Sequence, residues 1–281
     1  MKYTEEFCER EYNIRALVPE YPAIFSRWAA QAAATRSLHA CLLDLAYGDE
    51  PGERLDIFPA REEPSPLLVF IHGGYWRSMD KSDFSWIAPS FVTHGVTVAL
   101  INYGLAPHTP MEDMVRQALA AIAWLYRKAE RYGIDRDRIV LCGHSAGAHL
   151  AAMSMAALWP VYADELPPDL VKGALAISGV YDLEPLVHAP FLNVDLKLDR
   201  ESAIRLSPVR YPARPGARLI TAVGGTESSE FARQNALIGR HWRSSRVRDV
   251  PMPGCNHFEV IDALPDPANP LFDAALDLIR K

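Results

Sequence analysis

The stretch Arg138-Ile-Val-Leu-Cys-Gly-His-Ser-Ala-Gly-Ala-His-Leu150 decides how this chain is read. An apolar, β-branched run ends in Gly143-His144-Ser145-Ala146-Gly147, and an alanine-rich stretch of helical composition follows at once. The pattern is a strand, a sharp turn and a helix, with a serine at the apex of a G-x-S-x-G turn. Such a turn forces the serine backbone into a cramped conformation, so only small residues fit two positions to either side. The hydroxyl is left exposed above the strand end, beside the positive end of the next helix. Five letters alone are weak evidence, since glycine and serine also fill ordinary turns. Their place between a buried-type strand and a helix makes them specific.

Working outward, Leu67-Leu-Val-Phe-Ile71 is a continuous apolar run, typical of a strand buried on both faces. Val96–Asn102, Ile139–Cys142, Gly173–Ser178, Ala217–Val223 and Val247–Val250 read as further strands. Between and after them, Met111–Tyr132, Ala146–Leu158, Ser229–Trp242 and Pro270–Lys281 carry helical spacing. Strands alternating with helices predict an α/β fold, a mostly parallel sheet with helices on both faces. Leu42–Tyr47 and Arg54–Phe58, split by the turn-prone Gly48-Asp-Glu-Pro-Gly52, predict an antiparallel hairpin at the sheet edge. Residues 20–36 predict a helix through Ile24, Phe25, Trp28 and Ala32, with Pro22 in its first turn. The whole chain, 1–281, reads as one domain with an N-terminal helical segment (1–40). A proline-rich stretch of mixed polarity at about 182–214 interrupts the rhythm and is placed as an insertion over the sheet, where binding loops lie. Both decorations are expected to serve as lid elements.

Bulk properties narrow the classes. A chain of 281 residues with 49% hydrophobic content can bury a substantial core, and a formal charge of −6 argues against a nucleic-acid surface. The densest basic group, Arg240, Arg243, Arg246 and Arg248, reads as solvated surface. Cysteines 8, 41, 142 and 255 form no CxxC pair and no zinc spacing, and Cys142 is expected to pack as a small hydrophobe in its strand. The acidic N-terminus lacks an apolar leader, and no apolar run approaches the about 18 residues of a membrane-spanning helix. A reduced cytoplasmic setting, with no membrane partner, is the expectation. HExxH is absent, and His144 and His149 fall on different faces of a helix, so no metal is expected. Without a G-x-G-x-x-G after the first strand, no dinucleotide cofactor is expected either.

A serine presented in this way can carry acyl transfer if it has a base, an orienting acid and oxyanion donors. In folds with this turn they follow the chain order serine, acid, histidine. His72-Gly73-Gly74-Tyr75-Trp76 follows the buried strand directly, and its paired glycines let backbone N–H groups approach a ligand oxygen. Gly73, Gly74 and Ala146 are the expected oxyanion donors. His72 is assigned to supporting the loop, not to proton transfer. His257, in Pro253-Gly-Cys-Asn-His-Phe258 near the C-terminus, is the expected base; the other eight histidines lie in helices or in earlier segments. Motif position favours Glu227, just past the strand Ala217–Val223, as the acid, and its rival is Asp182, at the end of the preceding strand. A loop carboxylate near a helix start can equally be a simple N-cap.

The combination HGGYW, GHSAGAHLAAM, SGVYDLEPL and GTESSEFARQN followed by NHFEVID resembles the kynurenine formamidase (arylformamidase) group of α/β-hydrolases, from about residue 40 to 262. The HGG loop and Asn102-Tyr-Gly-Leu-Ala-Pro107 extend the resemblance to hormone-sensitive-lipase-like esterases. The resemblance implies an α/β-hydrolase fold and a triad of Ser145, Glu227 and His257, with glutamate where the group carries aspartate. It implies hydrolysis of a small acyl amide or ester without a cofactor, best matched by N-formylkynurenine giving formate and kynurenine. Tyr75 and Trp76 are the expected walls for an aromatic leaving group. A broad short-chain carboxylesterase and a non-catalytic ligand-binding protein of the same fold are the competing readings.

Overall fold

The computed structural model describes residues 3–280. Eight strands build one sheet: β1 (Leu42–Ala46), β2 (Arg54–Phe58), β3 (Ser65–Ile71), β4 (Thr97–Ile101), β5 (Ile134–His144), β6 (Val171–Ile177), β7 (Arg218–Gly224) and β8 (Arg246–Met252). Their spatial order is β1-β2-β4-β3-β5-β6-β7-β8. β2 runs antiparallel to both β1 and β4, and the pairs from β4 onward are parallel. Every residue of β3 and of β4 is buried, as their unbroken apolar runs require.

Among the described residues twelve α-helices surround the sheet: α1 (Glu5–Tyr12), α2 (Ile14–Leu17), α3 (Tyr21–Leu38), α4 (Ala88–Thr93), α5 (Met111–Arg127), α6 (Ala146–Ala156), α7 (Trp159–Tyr162), α8 (Pro190–Leu196), α9 (Arg200–Arg205), α10 (Ser229–His241), α11 (Glu259–Asp262) and α12 (Pro270–Arg280). Both α6 and α12 pack on β3, β5 and β6, and all of β3 and the stretch of β5 from Ile139 onward are buried. No helix among the described residues is long and apolar enough to cross a membrane.

The edge hairpin forms as its sequence predicts, with an irregularity between Leu42 and Leu45. There Asp44 takes a positive φ of 54° and its amide donates to Asp56 Oδ1 at 2.8 Å. The buried Lys81 ammonium lies between the two carboxylates, 2.7 Å from Asp44 and 2.8 Å from Asp56. β5 begins at Ile134 and β8 extends over Arg246–Met252, both longer than the apolar core of each strand suggests. Polar residues at a strand end pair as well as apolar ones, because the ladder uses backbone groups. The helix read as Met111–Tyr132 stops at Arg127, and a separate turn covers Glu130–Tyr132. Residues 182–214 form short helices, α8 and α9 among them, rather than strands.

The strand order reverses at β3. Its successor β4 lies on one side and β5 on the other, so the loops leaving β3 and β5 diverge over a crevice at the carboxyl ends. Parallel α/β sheets bind ligands at such a switch point. The register is what matters: Ile71 pairs with Gly143, which brings Gly73 and Ser145, two residues further along each strand, side by side.

Candidate active site

Ser145 sits where β5 turns into α6, with φ 56° and ψ −118°. The glycines that flank it are sterically required. A Cβ on Gly143 would lie 2.2 Å from the Gly147 oxygen, and one on Gly147 would lie 1.9 Å from the Ile71 oxygen. The strained serine is held by its own amide, which donates to the Ile177 carbonyl at 2.8 Å.

His257 reaches Ser145 from the loop after β8. Its Nε2 is 3.0 Å from Ser145 Oγ, and its Nδ1 is 2.5 Å from Glu227 Oε2. A carboxylate only accepts, so Nδ1 carries the proton and the Nε2 lone pair faces the serine hydroxyl. The other Glu227 oxygen accepts from Ser178 Oγ at 2.5 Å and from the Gly224 amide at 2.7 Å. Both Glu227 oxygens are therefore engaged, which fixes its orientation. Its loop is tied to that of the histidine: the Thr226 amide donates to the Cys255 carbonyl at 3.1 Å. Asp182, the rival acid, makes no bond to His257; Arg233 reaches it at 3.4 Å. The imidazole is further boxed by Phe231, whose ring centroid is 4.5 Å away.

His144 lies against His257 with a different role. Its Nε2 donates to the His257 carbonyl at 2.8 Å, pinning the backbone of that histidine. Burial, then the neighbouring His257, pushes its pKa down to about 3, so the ring is neutral. His72 is also buried, and burial depresses its pKa. It bonds the Gly73 carbonyl at 2.8 Å and stacks on Tyr103 at 4.6 Å, which matches a loop-supporting residue.

Gly73 packs directly on the serine, since a Cβ there would be 3.0 Å from that of Ser145. Gly74 takes φ +107°, and a Cβ would collide with the Ser78 oxygen. Among the described residues neither the Gly74 nor the Ala146 amide donates to a protein acceptor, which leaves both N–H groups for a ligand oxygen.

A cavity opens above Ser145 and His257, walled by Phe25, Trp28, Tyr75, Phe84, Phe191 and Phe258. Tyr75 is on this wall as expected, with its hydroxyl donating to the Tyr12 carbonyl at 2.5 Å. Trp76 is not. The next side chain points the opposite way, into the core, where it meets His149 edge-on at 5.1 Å and is wholly buried. The expectation of a Trp76 wall fails because Tyr75 and Trp76 both take positive φ, 52° and 56°, a reversal that no sequence period announces. Ser178, the cavity aromatics Phe25 and Phe191, and the anchoring role of His144 escape sequence reasoning. Only Ser178, a small polar residue at a strand's carboxyl end, carries a usable signal.

The strand order, the switch point and the sharp turn from β5 through Ser145 into α6 define an α/β-hydrolase. The BD-FAE family matches residues 55–159. The chain is 32% identical to kynurenine formamidase of Danio rerio over 88% of this chain and 84% of that protein. It is 31% identical to esterase LipC of Mycobacterium tuberculosis over 77% of this chain and 59% of that protein. A solved chain from Silicibacter sp. TM1040, assigned provisionally as a thioesterase, superposes with a TM-score of 0.83 at 32% identity, covering 94% of this chain and 97% of that one. The chain belongs to the kynurenine formamidase family and is a hydrolase.

Proposed function

We propose that this hydrolase uses Ser145 as nucleophile, His257 as base and Glu227 as orienting acid to cleave an aryl formamide, N-formylkynurenine, into formate and kynurenine. The observation that carries the reading is the continuous chain from Ser145 Oγ through His257 to Glu227, at 3.0 and 2.5 Å, under a cavity lined by aromatic rings. His257 Nε2 takes the Ser145 proton as the oxygen attacks the formyl carbon. The resulting oxyanion is held by the N–H groups of Gly73, Gly74 and Ala146. His257 then donates the proton to the leaving aryl amine as the C–N bond breaks. Water attacks the formyl ester by the same route, and formate leaves. Glu227 stabilises the imidazolium in both halves without taking the proton.

The roof is added to the sheet. Residues 13–15, Phe25 and Trp28 from the N-terminal segment and Phe191 from the 182–214 insertion border the cavity, which supports a lid role for both. The Arg77 side chain ties the insertion to the oxyanion loop through Asp195 at 2.8 Å and the Phe191 carbonyl at 2.7 Å. Four free cysteines support a reducing, cytoplasmic setting. A short-chain carboxylesterase is the second reading, favoured by the likeness to an esterase. The deciding experiment compares kcat/KM for N-formylkynurenine and a short-chain p-nitrophenyl ester on one preparation, with Ser145→Ala as blank. Preference for the formamide is expected. Ester cleavage with negligible formamide turnover would make the protein a carboxylesterase, and labelling of Ser145 by a fluorophosphonate excludes a non-catalytic binder.

A further inference from the structure

We infer that Arg15 is an anion subsite at the mouth of the cavity, placed to take a carboxylate carried on the leaving group of the substrate. The inference rests on the hydrolase reading of Ser145 and deepens it toward substrate class.

Among the described residues two cationic side chains, Arg15 and Arg77, border the cavity, and no carboxylate does. Arg77 is already neutralised by Asp195 at 2.8 Å. Arg15 is not: among the described residues it has no carboxylate partner, and its one hydrogen bond is from Nη2 to Ser78 Oγ at 3.1 Å. A guanidinium offers five N–H donors in a planar fork suited to a carboxylate, so most of its capacity is unspent. An exposed arginine without a partner is ordinary when it is free to wave in solvent. This one is held. Its guanidinium lies over the rings of Tyr21 at 5.4 Å and Phe25 at 5.9 Å, and Phe25 is a cavity wall. Aromatic faces leave the edge of the fork, where the N–H groups point, open to a ligand.

Arg15 is also connected to the reacting centre. Ser78 Oγ, which accepts from Arg15, donates in turn to the Gly74 carbonyl at 2.9 Å. The guanidinium is thus two hydrogen bonds from the loop that offers the oxyanion donors, on the same side as the aromatic walls. An aryl group seated among Phe25, Phe84 and Phe258 would carry a flexible acidic side chain outward past that fork. An amino-acid substituent on an aryl amide, or an aryl acid ester, fits this description; a neutral acyl chain has no use for it.

The test pairs substrates with and without a carboxylate on the leaving group. N-formylkynurenine and 2-formamidoacetophenone share the aryl ketone and the formamide, and only the first bears the amino-acid carboxylate. 4-Acetoxyphenylacetate and phenyl acetate provide the same contrast among esters. With Arg15→Gln, kcat/KM for the carboxylate-bearing member should fall about 10- to 100-fold, mostly in KM, with the neutral member nearly unchanged. Arg15→Lys should recover part of the loss, as a point charge without the fork. Equal loss on both members, or none on either, overturns the subsite: the arginine then only supports Phe25 or is plain surface. Turnover of neither formamide by the wild-type protein defeats the formamidase reading alone, and the ester pair then decides the subsite by the same criterion.

Discussion

The floor and the roof of the cavity are built in different ways. On the floor, Ser145, Gly73, Ser178, Glu227 and His257 all sit at or just beyond the carboxyl ends of β3, β5, β6, β7 and β8, and each is placed by strand register and backbone hydrogen bonds. The roof comes from segments outside the sheet, with α2, α3 and α8 supplying residues such as Arg15, Trp28 and Phe191. Its attachments run through side chains, such as Tyr75 to the Tyr12 carbonyl, Ser228 to the Glu11 carbonyl at 2.6 Å and Arg27 to Asp262. The difference teaches that chemistry is invested in the part of the fold least able to move, while selectivity is invested in parts that can be exchanged without disturbing the sheet. Damage to the floor should therefore lower kcat on every substrate, and damage to the roof should change which substrate is preferred.

The sharpest break of that contrast is Ser145→Ala, expected to lower kcat by at least about 10⁴-fold on formamide and ester alike with an unchanged melting temperature. Activity within a few-fold of wild type would end the serine mechanism. Glu227→Gln keeps the shape but loses the acceptor that selects the imidazole tautomer, so kcat should drop about 10³- to 10⁴-fold. Asp182→Asn, measured beside it, should cost no more than a few-fold; the opposite ranking would transfer the acid role. Ser178→Ala removes one of the bonds that orient Glu227 and should lower kcat about tenfold with KM held, an effect of the size of one charged hydrogen bond. Here a change confined to KM would count against a positioning role.

Roof substitutions should act more gently. Phe191→Ala is expected to raise KM for an aryl substrate roughly tenfold, from lost apolar contact, while sparing kcat on a methyl ester. A parallel fall in kcat on both would mean that the insertion steadies the floor as well. A separate expectation concerns stability and pH. Burial depresses His144 to about 3 and His149 to about 4, against 6.5 for a free histidine. The unfolded chain therefore binds protons that the folded one refuses between these values. Stability is full above about pH 6.5 and should fall below it by roughly 1 kcal/mol per pH unit for each ring. The urea midpoint should drop between pH 7 and pH 5, and His149→Gln should flatten that slope. A midpoint independent of pH would show that neither ring is held neutral by burial.

What the sequence determined by itself was the floor. Gly143 and Gly147 around Ser145, the buried run Leu67–Ile71 before His72-Gly73-Gly74, and a late loop histidine at 257 are local patterns, dictated by backbone sterics and strand periodicity within a few residues. Such constraints are written into adjacent letters, so they can be read there. Position just past a strand pointed to Glu227 ahead of Asp182, but not to the contacts each makes. Both follow strands that end in the same crevice, and packing bonds Glu227 to Ser178 and Gly224 and hands Asp182 to Arg233. The turned-in Trp76, the neutral His144 beneath the base and the roof drawn from residues 13–28 and 191 depend likewise on contacts between segments far apart in the chain. Side-chain direction in a left-handed loop, proton affinity under burial and the company an arginine keeps are properties of a neighbourhood, and a neighbourhood exists only once the chain has folded.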